Sequence, residues 1–107
     1  MIYLLNSSII PNEGDYRLAN SNLHEAIDIL MENEYNCISA IGHKATADIL
    51  STLLCVDVPV NRIAVKMEPW DKAIIFKLKE RIEEGRVLNV TEINKIGYDI
   101  MLMVRLK

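Results

Sequence analysis

The stretch Cys37 to Leu54, CISAIGHKATADILSTLL, constrains the fold more than any other part of the chain. Cys37-Ile38-Ser39-Ala40-Ile41 is short, mostly apolar and β-compatible, and Gly42 is a turn residue. Ala45, Ile49, Leu50, Leu53 and Leu54 then recur at helical spacing, so a strand passes into a helix, His43 to about Cys55, with almost nothing between them. Such a junction leaves the first N–H groups of the helix unpaired, and the helix dipole adds partial positive charge there. That is a ready anion site. Gly42 lets a phosphate approach the backbone, and His43 puts an imidazole at the same place. The same residues also suit a plain tight turn with a polar helix start. The Walker phosphate-loop pattern is absent.

Met1 to Leu5, MIYLL, reads as a buried strand that stops at Asn6-Ser7-Ser8. In a parallel sheet the carboxyl ends of strands are where ligands bind, and these polar side chains can hold phosphate or ribose oxygens or simply end the strand. Ile9 to Ser21 contains Pro11, Asn12 and Gly14 and reads as an irregular loop carrying Tyr16 and Arg17. Asn22 and Glu25 have capping-box spacing ahead of an apolar stripe of Leu23, Ile27, Leu30 and Met31, which predicts a helix ending near Asn33. His24, in its first turn, reads as solvent-facing and structural. Strand, helix, strand, helix then predicts a right-handed βαβ unit with its two strands parallel, which puts Asn6 and His43 on one rim.

In the second half, Ile63, Val65 and Met67 alternate with Arg62, Ala64 and Lys66. Glu68-Pro69-Trp70-Asp71 is a turn, and Lys72 to Leu78 is a strand, so the pair reads as a hairpin. Lys77 to Glu84, KLKERIEE, fits either a short helix or a solvated turn; Arg81 and Glu84 would share a helical face. A short helix is expected after Thr91 as N-cap, then a last strand from Tyr98 to Leu106. Leu102, Val104 and Leu106 line one face of it, while Met101 and Met103 make a second apolar face suited to a helix or a partner subunit.

A chain of 107 residues, half of them apolar, makes one domain, 1–107, with a real core. The net charge of −3 argues against a non-specific duplex DNA binder, though not against a small anion in a local basic pocket. Cys37 and Cys55 are too few and too far apart for a zinc motif, and buried thiols in a reducing compartment are the default. No apolar run approaches the roughly 18 residues of a membrane span, and the N-terminus lacks a basic leader, so a soluble cytoplasmic protein is expected.

Taken in order, YLLNS, AIGHKATADILSTLL, VPVNRIAVKM, DKAIIFKLKERIEEG and a final strand resemble the small viral and bacterial ring nucleases that act as type III anti-CRISPR proteins. The resemblance covers nearly the whole chain. It implies an α/β single domain with a mixed sheet of about five strands and flanking helices, assembled as a homodimer. The implied ligand is cyclic tetra-adenylate, held across the two-fold axis. The implied reaction needs no metal and no cofactor: a ribose 2′-hydroxyl attacks the adjacent phosphorus and releases linear di-adenylate, which silences type III CRISPR signalling. By the same resemblance His43 is the general acid, Arg81 holds the phosphate and Glu84 hydrogen-bonds the imidazole. Asn6, Ser7, Ser8 and Gly42, with Arg62 and Lys77, would bind the ligand. Neither membrane nor duplex DNA is an expected partner.

This chemistry has a physical logic. A helix start disfavours positive charge, yet a general acid there must carry a proton. A carboxylate and a bound phosphate offset the dipole, which gives Glu84 a task. Two other classes fit less well. A protein that sequesters a cyclic oligonucleotide would use the same pocket without turnover, and a small transcriptional regulator would need a basic stripe that this chain lacks.

Overall fold

The computed structural model describes residues 1–83 and 85–107. Its sheet is mixed and five-stranded, built from β1 (Ile2–Leu5), β2 (Tyr16–Ser21), β3 (Cys37–Ser39), β4 (Lys72–Leu78) and β5 (Tyr98–Arg105). Three helices accompany it: α1 (Leu23–Glu32), α2 (Lys44–Leu54) and α3 (Val90–Ile96). The strand order is β2-β5-β4-β1-β3. β1 is parallel to both β3 and β4, while β5 is antiparallel to β4 and β2. The expected α/β fold, its parallel first and third strands and its final strand are all present.

The period-2 pattern of the strands divides the core in two. Ile2 and Leu4, Ile74 and Phe76, and Ile100 with Leu102 face a cluster to which α1, α2 and α3 all contribute. Tyr3 and Leu5, Ala73 and Ile75, and Met101 and Met103 face a smaller cluster with Tyr16, Val65 and Met67. β4 is buried on both faces from Ala73 to Phe76, as the strand between β1 and β5 must be.

Three expectations about the secondary structure elements change. The segment expected to be a loop around Tyr16 and Arg17 is β2, paired in register with β5 from Tyr16↔Arg105 to Ser21↔Ile100. Pairing across the whole sheet supplied what the local sequence lacked. The expected hairpin over 61–78 does not form: residues 58–68 have no strand, and β4 pairs with β1 and β5 instead. Pro59 has no N–H to give a ladder, and side chains satisfy the backbone here. Asn12 Nδ2 donates to the Met67 carbonyl at 3.1 Å, Met67 N–H donates to Asn12 Oδ1 at 3.0 Å, and Tyr3 Oη donates to the Lys66 carbonyl at 3.3 Å. This strap, and not a helix, supplies Val65 and Met67 to cover the methionine face of β5.

The third change is at α3, which starts two residues earlier than expected. Asn89 is the N-cap: its side chain accepts from Glu92 N–H at 2.8 Å, and Glu92 Oε1 accepts from Asn89 N–H at 3.3 Å. Thr91 lies inside the helix. Asn89→Ala should therefore cost about 0.5–2 kcal/mol in urea unfolding, while Thr91→Ala should stay within about 0.5 kcal/mol. The charged run after β4 forms no helix over its described residues, 79–83. At α1 only half of the expected box forms, with Asn22 Oδ1 accepting from Glu25 N–H at 2.8 Å. His24 is exposed as expected and lies 3.3 Å from Asp28.

Cys37 is half-buried, and burial pushes its thiol pKa up; Cys55 is exposed, in contrast to the expectation of two buried thiols. Burial also raises the Tyr3 phenol, helped by the carboxylates of Asp71 and Glu68. Among the described residues no helix is long and apolar enough to cross a membrane.

Candidate functional site

β1, β3 and β4 are parallel, so their carboxyl ends share one rim. Asn6 follows β1 directly, and His43 is the N-cap residue of α2, with extended backbone (φ −122°, ψ 124°). Asn6, His43, Thr46, Leu78, Glu80, Arg81 and Ile82 line one open cavity of about 270 Å³. A neighbouring cavity of about 430 Å³ shares His43, Arg81 and Ile82 and adds Glu83. Three distant parts of the chain, the end of β1, the start of α2 and the segment after β4, thus meet at one place.

The three helix starts differ in a way that bears on chemistry. α1 and α3 each have an asparagine side chain capping the first turn and a glutamate within it. α2 has neither: His43 makes no capping bond, and the first turn holds no acidic residue. α2 itself therefore supplies nothing to offset its partial positive charge where His43 and Thr46 line the cavity. Arg81, an exposed residue lining the same cavity, adds a full charge. Among the described residues Glu80 brings a carboxylate to this cavity and Glu83 one to its neighbour. The chemistry on offer is binding of a phosphate with an imidazole in reach.

The expected site residues divide accordingly. Asn6, His43 and Arg81 line the cavity together. Ser7, Ser8, Gly42, Arg62 and Lys77 do not line it, and Glu84 lies outside the described residues. Lys77 follows Ile75 on the face of β4 opposite to Leu78, and pairs in register with Asp99. Arg62 folds back over Gly42: its Nε donates to the Gly42 carbonyl at 3.0 Å, and its Cγ lies 3.4 Å from where a Cβ on Gly42 would stand. The space over this glycine is occupied by Arg62. Leu78, Glu80 and Ile82 have no signal in the sequence, whereas Thr46 follows His43 by three residues and so shares its side of the helix.

A larger cavity of about 510 Å³ lies elsewhere on the surface, between the β2–α1 junction and the start of β5, lined by residues such as Ser21, His24 and Asp99. The α1 start there is already capped by Asn22 and compensated by Glu25, and its lining holds no arginine or lysine, so it is the poorer anion site. Among the described residues no group of three His, Cys, Asp or Glu is placed to hold a metal ion.

Comparison with known proteins is consistent across sequence and structure. Residues 2–100 match the family model described as STIV B116-like. Uncharacterized protein 26 of Sulfolobus islandicus filamentous virus (isolate Iceland/Hveragerdi) is 40% identical over 107 residues, covering 95% of this chain and 89% of its own. Uncharacterized protein YddF of Bacillus subtilis (strain 168) is 33% identical, covering 98% of this chain and 97% of its own. Among solved structures, B116 of Sulfolobus turreted icosahedral virus superimposes with a TM-score of 0.81 at 26% identity, over 95% of this chain and 97% of that one.

Proposed function

The chain belongs to the STIV B116-like family, and we propose that it is a metal-independent ring nuclease that opens cyclic tetra-adenylate. The observation that carries the reading is the meeting of Asn6, His43 and Arg81 in one cavity at an uncapped helix start. The resemblance of the sequence to type III anti-CRISPR ring nucleases supplies the substrate.

In this mechanism a ribose 2′-oxygen attacks the adjacent phosphorus, its proton passing to water. The bond from phosphorus to the 5′-oxygen breaks, and His43 gives its proton to that oxygen. The first product end is a 2′,3′-cyclic phosphate, and two such cuts on opposite sides of the ring release two linear di-adenylates. Arg81 and the free N–H groups of α2 stabilise the charge that builds on the phosphoryl oxygens. Asn6 orients the nucleotide. Glu84 keeps the role that the resemblance gives it, as hydrogen-bond partner of the imidazole. A cavity of about 270 Å³ holds a phosphate and part of one nucleotide, not a ring of four. A two-fold pair of chains would offer one such cavity to each of two opposite phosphates, which suits a homodimer.

The test is incubation of the purified protein with cyclic tetra-adenylate in the presence of a chelator, followed by chromatography and mass measurement. Conversion to di-adenylate at an undiminished rate is the expected result. An intact ring that stays bound would make the protein a sequestering one, and activity lost to the chelator would refute metal independence.

A further inference from the structure

The turn that carries His43 is fastened to a second piece of chain, residues 59–62, by a run of hydrogen bonds. Ser39 Oγ donates to the Pro59 carbonyl at 2.6 Å. The Asn61 side-chain amide donates to the Ser39 carbonyl at 2.7 Å, and the Asn61 N–H donates to the Ile41 carbonyl at 2.9 Å. Arg62 Nε donates to the Gly42 carbonyl at 3.0 Å. Ser39 Oγ also accepts from Ile41 N–H at 3.3 Å. On the inner side Ala40 N–H donates to the Leu4 carbonyl at 2.9 Å, and the His43 carbonyl accepts from Ala47 N–H at 3.0 Å. Each residue from Ser39 to His43 thus has a backbone group tied down.

Two of these residues stand out chemically. Ser39 is only 5% exposed, a polar residue inside an otherwise apolar core. A buried hydroxyl is unfavourable unless bonded, and alanine would fill the same place without that demand. Asn61 does what a ladder would do on the outer edge of β3, two residues after a proline that has no N–H to give. Together they replace strand pairing with side-chain bonds at the point where β3 ends and the His43 turn begins.

We propose that Ser39 and Asn61 are positioning residues for His43. They fix the backbone of residues 39–42, and with it the direction in which the imidazole leaves α2. The catalytic consequence rests on the ring-nuclease reading; the structural one does not.

The test uses the full chain and the variants Ser39→Ala and Asn61→Asp. Asn61→Asp keeps the backbone bond to Ile41 but sets an oxygen against the Ser39 carbonyl. Single-turnover cleavage at saturating cyclic tetra-adenylate should fall roughly 10- to 100-fold, with affinity changed by less than about threefold, because displacement of the acid by about 1 Å costs rate and not binding. In a proton–carbon NMR spectrum the His43 ring signals should shift or split, while the methyl signals of Leu50 and Ile74 hold their places. Wild-type rates together with an unmoved His43 ring would overturn the proposal. Should Ser39→Ala fail to fold, Asn61→Asp decides on the same readouts. If the wild type leaves the ring intact, the ring-nuclease reading falls and the spectrum alone judges the positioning role: a moved His43 signal supports it, an unmoved one overturns it.

Discussion

Replacing His43 by alanine is expected to lower turnover of cyclic tetra-adenylate by about 10²- to 10⁴-fold, the usual contribution of a positioned general acid. Affinity for the ring should change little, because Arg81, Asn6 and the α2 N–H groups remain. Stability should also change little. His43 is an N-cap without a capping bond, so alanine removes no hydrogen bond that α2 depends on. That separates this variant from most helix-start substitutions, where loss of the cap costs about 1 kcal/mol. Arg81→Ala should differ in kind, weakening binding as well as rate, since its charge acts on the phosphate before and during the reaction. Lysine at position 81 should recover only part of the loss, being a point charge on a flexible stem and not a planar fork. His43→Ala with wild-type turnover would remove the proposed acid, whatever the protein binds.

The rim was legible in the sequence because its signals are local. A strand ending in Asn6, and a strand running through Gly42 into an amphipathic helix, each specify their own geometry within a few residues. Parallel pairing of β1 and β3 then brings them together by topology alone. Arg81 needed the family resemblance, since nothing in a charge run says which member turns toward a cavity. What escaped was non-local. β2 looks like a loop because the turn residues Pro11, Asn12 and Gly14 run into it, and it becomes a strand only by pairing with β5 far along the chain. The 58–68 strap looks like a strand because Ile63, Val65 and Met67 alternate, yet its backbone is satisfied by the side chains of Asn12, Tyr3 and Ser39. No pattern within the strap announces those partners. Asn61 was missed for the same reason: its bonds to Ser39 and Ile41 span some twenty residues of chain.

The largest effect on stability is expected at Phe76. It is fully buried near the end of β4, with its ring 5.2 Å from that of Tyr98 at an angle of 37°. Phe76 pairs in register with Ile100 of β5 and lies one residue past the last β1 pair at Ile75, so β5 and the buried cluster around it are what hold it in place. Phe76→Ala should cost about 3–5 kcal/mol, the sum of lost burial and an unfilled cavity. The tilted ring pair contributes about 0.5–1.5 kcal/mol of this, which a double-mutant cycle with Tyr98→Leu would isolate. Against a total stability of about 5–15 kcal/mol for a domain of this kind, the variant should unfold at a much lower urea concentration. Lys77→Ala, one residue further on and exposed, should stay within about 0.5 kcal/mol of the wild type. The contrast has a functional side. Leu78, two residues beyond Phe76, lines the cavity, and Arg81 follows on the same segment. Loosening β4 should therefore weaken ligand binding, and ligand should stabilise Phe76→Ala less than the wild type. Equal stabilisation by ligand in both would mean that the Arg81 wall keeps its place without the core beneath it.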